Sequence, residues 1–122
     1  MTILGELPVS WHDVAAAPRF AAVCRVEELP RQGARVLERP GHPDGNIALF
    51  RAEDDAVFAV LDRCPHRGGP LSQGIVYGHR VACPLHNWSI ELGSGNAVAP
   101  DAGCTRTFAV KIVDGVVHVA ID

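Results

Sequence analysis

Short apolar or alternating runs recur along the chain, separated by clusters of Gly, Pro, Asn and Asp. Alternation with a period of two between turn-forming clusters is the pattern of half-buried strands. It predicts strands over Phe20–Val26, Ala34–Glu38, Ile47–Arg51, Val57–Asp62, Arg80–Cys83, Trp88–Leu92, Thr107–Val113 and Val116–Ile121. The last two flank Asp114-Gly115, a strong two-residue hairpin signal. Glu53-Asp54-Asp55 predicts a second hairpin turn, and Arg39–Asn46 (RPGHPDGN) a Pro/Gly loop. Helix is scarce. Ser10 with Asp13 three residues later is a weak capping pattern, and Pro18 ends it after a turn or two. The segment VEELP (Val26–Pro30) fits a single helical turn between strands.

An all-β domain is therefore expected over residues 20–122, with residues 1–19 as a loosely packed extension. A length of 122 residues suits one domain with a modest core, and 48 % hydrophobic residues can fill it. The formal net charge of −3 argues against nucleic-acid and polybasic membrane-surface binders. No apolar run approaches the roughly 20 residues that cross a bilayer. The N-terminal stretch lacks a basic segment followed by an apolar one, so the expected location is the cytoplasm.

Four cysteines are present: Cys24, Cys64, Cys83 and Cys104. Without a secretory signal, reduced thiols or metal ligands are favoured over disulfides. Cys24 lies in the apolar run FAAVCRV and reads as a small buried hydrophobe. Cys104 has no ligand-type partner nearby and reads as a free thiol.

The other two belong to mixed pairs. Cys64 and His66 form C-x-H, and Cys83 and His86 form C-x-x-H, with sixteen residues (67–82) between them. A zinc finger usually groups its cysteines in one knuckle and its histidines on a helix, although zinc suits both ligand types. A two-iron cluster with two thiolates on one iron and two imidazoles on the other needs one Cys and one His from each of two loops. The spacing matches the Rieske motif. Pro65 and Pro84 follow the cysteines, stiffen the loops and each remove a backbone donor. Gly68 and Gly69 permit a tight turn that would bring backbone N–H groups toward the cluster sulfurs and tune the potential. Ser94–Asp101 places Pro100 as a cover over the cluster. His12, His42, His79 and His118 do not fit the pattern and read as surface or loop residues.

The segments DRCPHRGGPLSQGIV (Asp62–Val76), CPLHNWSIEL (Cys83–Leu92) and GNAVAPDAGC (Gly95–Cys104) resemble Rieske ferredoxin domains. More narrowly, they resemble the small subunit of assimilatory NAD(P)H-dependent nitrite reductase. The likeness extends more weakly from about Val23 to the C-terminus and leaves residues 1–19 uncovered. It implies an antiparallel β sandwich or incomplete barrel carrying a cluster-binding subdomain, with cluster loops at about 62–101. It also implies a [2Fe–2S] cofactor and a partner, a large subunit with FAD and sirohaem that reduces nitrite to ammonium. On that reading the chain is an electron-transfer subunit of an oxidoreductase with no catalytic residue of its own.

High-potential relatives carry an extra cysteine in each loop, where this chain has Gly69 and Leu85. Where those relatives place a Ser and a Tyr near the second loop, this chain has Trp88 and Ile90, so a potential low in the Rieske range is expected. His66 and His86 would each keep one ring nitrogen at the surface as the electron exit. The expected docking face is Arg67, Leu71, Leu85, Asn87 and Trp88, with Trp88 equally suited to packing under its loop. Two rival readings remain. One is a free ferredoxin feeding an aromatic-ring-hydroxylating dioxygenase. The other is a zinc-bound or cluster-free module that only stabilises a partner.

Overall fold

The computed structural model describes residues 20–39, 41–42, 45–65, 68–84 and 88–121. Among them are ten strands: β1 Phe20–Arg25, β2 Gly33–Leu37, β3 Ile47–Arg51, β4 Val57–Leu61, β5 Ile75–Tyr77, β6 Arg80–Ala82, β7 Ser89–Glu91, β8 Thr107–Phe108, β9 Val110–Val113 and β10 Val116–Ala120. The helical content of the described residues is two 3₁₀ turns, Val26–Glu28 and Leu71–Gln73. The first is the turn expected in VEELP. The weak helix signal around Ser10 lies outside the described residues. No helix among the described residues is long and apolar enough to cross a membrane.

Three antiparallel sheets form. Their strand orders are β9-β10-β1, β2-β3-β4-β8 and β5-β6-β7. The four-stranded sheet lies between two apolar cores, and β3 shows why. All of Ile47, Ala48, Leu49 and Phe50 are buried, so β3 has no solvent face. Successive side chains of a strand point to opposite faces. Ile47 and Leu49 accordingly pack with Cys24, Leu29, Val117 and Val119 against the β9-β10-β1 sheet. Ala48 and Phe50 pack with Leu71, Val76, Val81 and Ile90 against the small sheet. Phe50 is fully buried, which contributes about 1.5–3 kcal/mol relative to an exposed side chain.

The expected strands appear with ends shifted by a residue or so, and two differences matter. The single run expected over Thr107–Val113 breaks at Ala109, and its halves join different sheets: β8 pairs with β4, β9 with β10. A strand the alternation does not show, β5, forms the edge of the small sheet. Its Ile75 and Tyr77 are exposed while Val76 is buried, so an apolar triplet hides its two-sided character.

Both expected hairpins form. Asp114 (φ 51°) and Gly115 (φ 77°) are both left-handed, as a two-residue turn matched to strand twist requires. The β3–β4 turn closes with Ala52 N–H donating to Ala56 O at 2.8 Å and Asp55 N–H donating to Ala52 O at 3.0 Å. The Asp55 carboxylate accepts from Arg51 Nη2 at 2.7 Å and Arg31 Nη2 at 3.0 Å. Arg51 also donates to Leu29 O at 2.8 Å, so the pair ties the turn to the segment before β2. The guanidiniums of Arg51 and Arg31 hold the Asp55 carboxyl below the usual carboxylate range. Because its proton leaves more readily in the folded chain than in the unfolded one, Asp55 adds stability at neutral pH. That contribution is lost as pH falls through the carboxylate range, below about pH 4. Asp55→Asn should therefore lower the urea midpoint at pH 7, and the gap to wild type should close in acid.

Candidate metal centre

The first cysteine loop leaves the end of β4. There Asp62 N–H donates to Asn46 O at 2.8 Å and Arg63 N–H donates to Leu61 O at 2.7 Å. The chain then curls on itself: Cys64 N–H donates to Gly69 O and Gly68 N–H donates to Cys64 O, both at 2.8 Å. Gly68 adopts φ +71°, which suits glycine and lets the curl close. Its N–H is thus committed to closing the loop. The second cysteine loop bridges β6 and β7, whose ends pair at Ala82 and Ser89. Cys83 N–H donates to Trp88 O at 2.7 Å and closes it.

Cys64 and Cys83 are each 2 % exposed and belong to the same apolar cluster, with Leu71, Val81 and Ile90. Two strand ends from two different sheets thus bring both thiols to one end of one core. None of the four cysteines forms a disulfide. Cys24 is buried as expected, and burial pushes its thiol pKa up. Cys104 is exposed. The donor chemistry suits a thiolate-ligated iron cluster, with two soft sulfur donors on separate loops shielded from water. His66 and His86, the expected imidazole ligands, lie outside the described residues, as do Arg67, Leu85 and Asn87.

The remaining site residues are placed as follows. Pro65 is half-buried, Gly69 is buried and Pro84 is exposed. Trp88 is half-buried and packs against the core cluster, which favours its packing role. Leu71 corrects the expected docking face. It is 0 % exposed, because the 3₁₀ turn directs it between the small sheet and Phe50. Pro100 is exposed, after a cis peptide bond, in a tight turn where Asp101 N–H donates to Val98 O at 3.1 Å. That segment is tied down by Val98 N–H to Ser89 O at 2.8 Å and Ala97 N–H to Gly103 O at 2.9 Å. Gly103 lies against the first loop: a Cβ built on it would be 3.4 Å from Pro65 Cβ. Gly95 sits at φ +79°, and a Cβ there would fall 2.2 Å from Thr105 O, so this turn accepts no other residue without moving. Of the other histidines, His42 is exposed and His118 half-buried, while His12 lies outside the described residues. His79 Nε2 is 2.8 Å from Asp54 Oδ2 and its ring lies 5.0 Å from that of Phe58. It therefore joins the β5–β6 turn to the β3–β4 turn. This hydrogen bond to His79 is the main reason the Asp54 carboxyl is held low.

One supporting group escapes sequence reading altogether. Asp62 Oδ1 accepts the Ser72 N–H at 2.7 Å and Oδ2 accepts the Ser72 hydroxyl at 2.8 Å. Both partners are part-buried, and together they pin the residues before Cys64 to the 3₁₀ turn that carries Leu71. Removing a charged acceptor from two such donors costs about 1–3 kcal/mol. Asp62→Ala should lower stability by about that amount in urea titration. It should also speed loss of visible absorption at the metal centre under chelator, whereas Ser72→Ala, which keeps the backbone donor, should do less of both.

The Rieske [2Fe-2S] domain family matches residues 19–109. The 3-phenylpropionate/cinnamic acid dioxygenase ferredoxin subunit of Photorhabdus laumondii is 41 % identical over 101 residues, covering 81 % of this chain and 91 % of that protein. The anthranilate 1,2-dioxygenase ferredoxin subunit of Burkholderia cepacia is 35 % identical over 113 residues, covering 91 % and 92 %. This chain spans only 31 % of a longer relative, the oxygenase component of dicamba O-demethylase from Stenotrophomonas maltophilia. Among solved structures, a chain assigned as the small subunit of NADH-dependent nitrite reductase in Mycobacterium tuberculosis superposes with a TM-score of 0.74 at 21 % identity, covering 84 % of this chain and 95 % of that one. With two buried cysteines on paired loops, three antiparallel sheets and a family match across the whole cluster-loop region, the chain belongs to the Rieske [2Fe-2S] domain family of electron-transfer proteins, with a Rieske-type cluster as its cofactor.

Proposed function

We propose that this chain is the ferredoxin of an aromatic-ring-hydroxylating dioxygenase system, passing single electrons to an oxygenase component. The observation that carries this reading is the near end-to-end match, at 41 % and 35 % identity, to two ferredoxin subunits of dioxygenases. The nitrite reductase small subunit, with its sirohaem- and FAD-bearing partner, takes second place. Its support is a likeness to solved structures at 21 % and 27 % identity.

In this proposal Cys64 and Cys83 hold one iron and His66 and His86 the other, within a unit spanning residues 20–122. When bound, the cluster accepts and gives up one electron at a time. The chain's own residues set the conditions. Burial of Cys64 and Cys83 at 2 % exposure keeps water from the sulfur ligands. The self-closed loops hold Cys64 and Cys83 in place, and the Asp62–Ser72 clamp anchors the residues before Cys64, so little reorganisation of these two loops accompanies a change of charge. The histidines form the exit to the partner, flanked by Arg67, Leu85 and Asn87, while Pro65, Pro84 and Pro100 stiffen the surrounding loops.

Ile90 has no polar side-chain atom and Trp88 carries an indole N–H but no hydroxyl, so neither replaces the Ser and Tyr hydroxyl donors of the high-potential relatives. Gly69 stands where high-potential relatives carry a disulfide cysteine. The reduced state thus lacks the two hydroxyl donors of the high-potential relatives, and the midpoint potential should fall in the lower part of the range of about −150 to +300 mV. A value above about +100 mV would contradict this. The partner is tested by reconstitution: the reduced chain should sustain ring hydroxylation by an oxygenase component encoded beside it. Support of nitrite reduction by a sirohaem subunit, without transfer to the oxygenase, would reverse the two readings. A colourless protein with stoichiometric zinc would remove both.

A further inference from the structure

Strands β5, β6 and β7 are three residues each and too short to persist alone, so the small sheet depends on resting against the four-stranded one. Val76, Val81 and Ile90 pack with Phe50 and Leu71 at that junction. Apolar contact is non-directional. It holds the small sheet down without fixing its tilt.

A directional tie joins the outer turns of the two sheets. His79 in the β5–β6 turn places Nε2 2.8 Å from Asp54 Oδ2 in the β3–β4 turn, across 25 positions of sequence. A cleft of about 300 Å³ lies beside the bond, lined by Ala52, Glu53, Asp54, Gly78 and His79. The turns are thus bridged next to open space. Both partners of the bond are oriented beforehand. The His79 ring centre is 5.0 Å from that of Phe58, and the His79 carbonyl accepts the Leu92 N–H at 2.9 Å. Asp54 Oδ1 accepts the Ala56 N–H at 3.1 Å within its own turn, while Oδ2 meets the imidazole. Exposed polar pairs usually lose much of their gain to side-chain entropy, and prior orientation reduces that loss.

The lever is short. His79 precedes β6 and Cys83 follows it, about 13 Å apart at roughly 3.3 Å per residue. Cys83 therefore rides on the strand that starts beside the bond, whereas Cys64 follows β4 in the other sheet. A cluster shared by the two cysteines spans the junction. We infer that the Asp54–His79 bond is a latch on the small sheet, which slows its lifting and so slows release of a cluster held between Cys64 and Cys83. The inference rests on the reading of these two cysteines as ligands.

The test uses the cluster-loaded protein and three variants. His79→Phe keeps a ring against Phe58 and removes the nitrogen. Asp54→Asn keeps an acceptor for the Ala56 N–H and removes the charge. Glu53→Gln changes a charge in the same cleft without touching the bond. Each protein is mixed with excess chelator and iodoacetamide. Visible absorption follows the cluster, and peptide mass spectrometry follows alkylation of each cysteine. Cys24 lies in the other apolar cluster and reports general unfolding. His79→Phe and Asp54→Asn should each speed loss of absorption, and alkylation of Cys64 and Cys83, about two- to fivefold. Cys24 should label at the wild-type rate, and Glu53→Gln should match wild type throughout. The double variant should be no faster than the faster single one, because both remove the same bond. Unchanged release in both single variants overturns the latch. Labelling of Cys24 in step with Cys64 and Cys83 marks general destabilisation and overturns it too, as does an equal effect from Glu53→Gln. Faster alkylation of Cys64 and Cys83 with no matching loss of absorption removes them as ligands and cuts the latch from the cluster.

Discussion

Ile47 and Leu49 face one core and Ala48 and Phe50 the other, so β3 is buried on both sides by two different sheets. A strand in that position must satisfy its backbone through neighbours on both edges, and it does: β2 and β4 pair with it residue for residue, from Leu37↔Ile47 to Ala48↔Val60. Once β3 and β4 are in register, the end of β4 is fixed in space. Asp62, Arg63 and Cys64 follow directly from it. The first cysteine loop is thus placed by a strand pair whose own place is set by packing from both faces.

The second cysteine loop has a weaker foundation and a different one. Strands β5, β6 and β7 are three residues each, too short to persist alone. Val76, Val81 and Ile90 attach them to Phe50 and Leu71. On the outside, the Asp54–His79 bond and the Leu92 N–H to His79 O bond, at 2.8 and 2.9 Å, add polar ties. The small sheet is held as a lid on the larger one, and both cysteines belong to the apolar cluster between lid and base.

Much of this was visible in the residues. Asp114-Gly115 and the EDD turn declare their hairpins through local backbone preference, and the cysteine and histidine spacing points to the family that the match over residues 19–109 shows. The parts that stayed hidden share a cause. The break at Ala109 is decided by which sheet each half of Thr107–Val113 can reach, and period-two alternation carries no record of that. In β5, outward Ile75 and Tyr77 leave no polar face to see. Asp62 finds Ser72 ten residues away by tertiary approach, with no periodic trace. Leu71 looks like a surface residue beside a ligand loop until the 3₁₀ turn rotates it inward. The dioxygenase and nitrite readings draw on the same loop residues, and it took whole-chain likeness to order them.

Each cysteine loop is closed by hydrogen bonds between its own residues: Cys64 with Gly68 and Gly69, Cys83 with Trp88. A loop that carries its own closure behaves as a cassette. Its flanking side chains can be exchanged over evolutionary time without reopening β4 or β6, because the strands contribute only its two anchor points. The shape of each loop is in that sense set by its own residues, while the strands set where it stands.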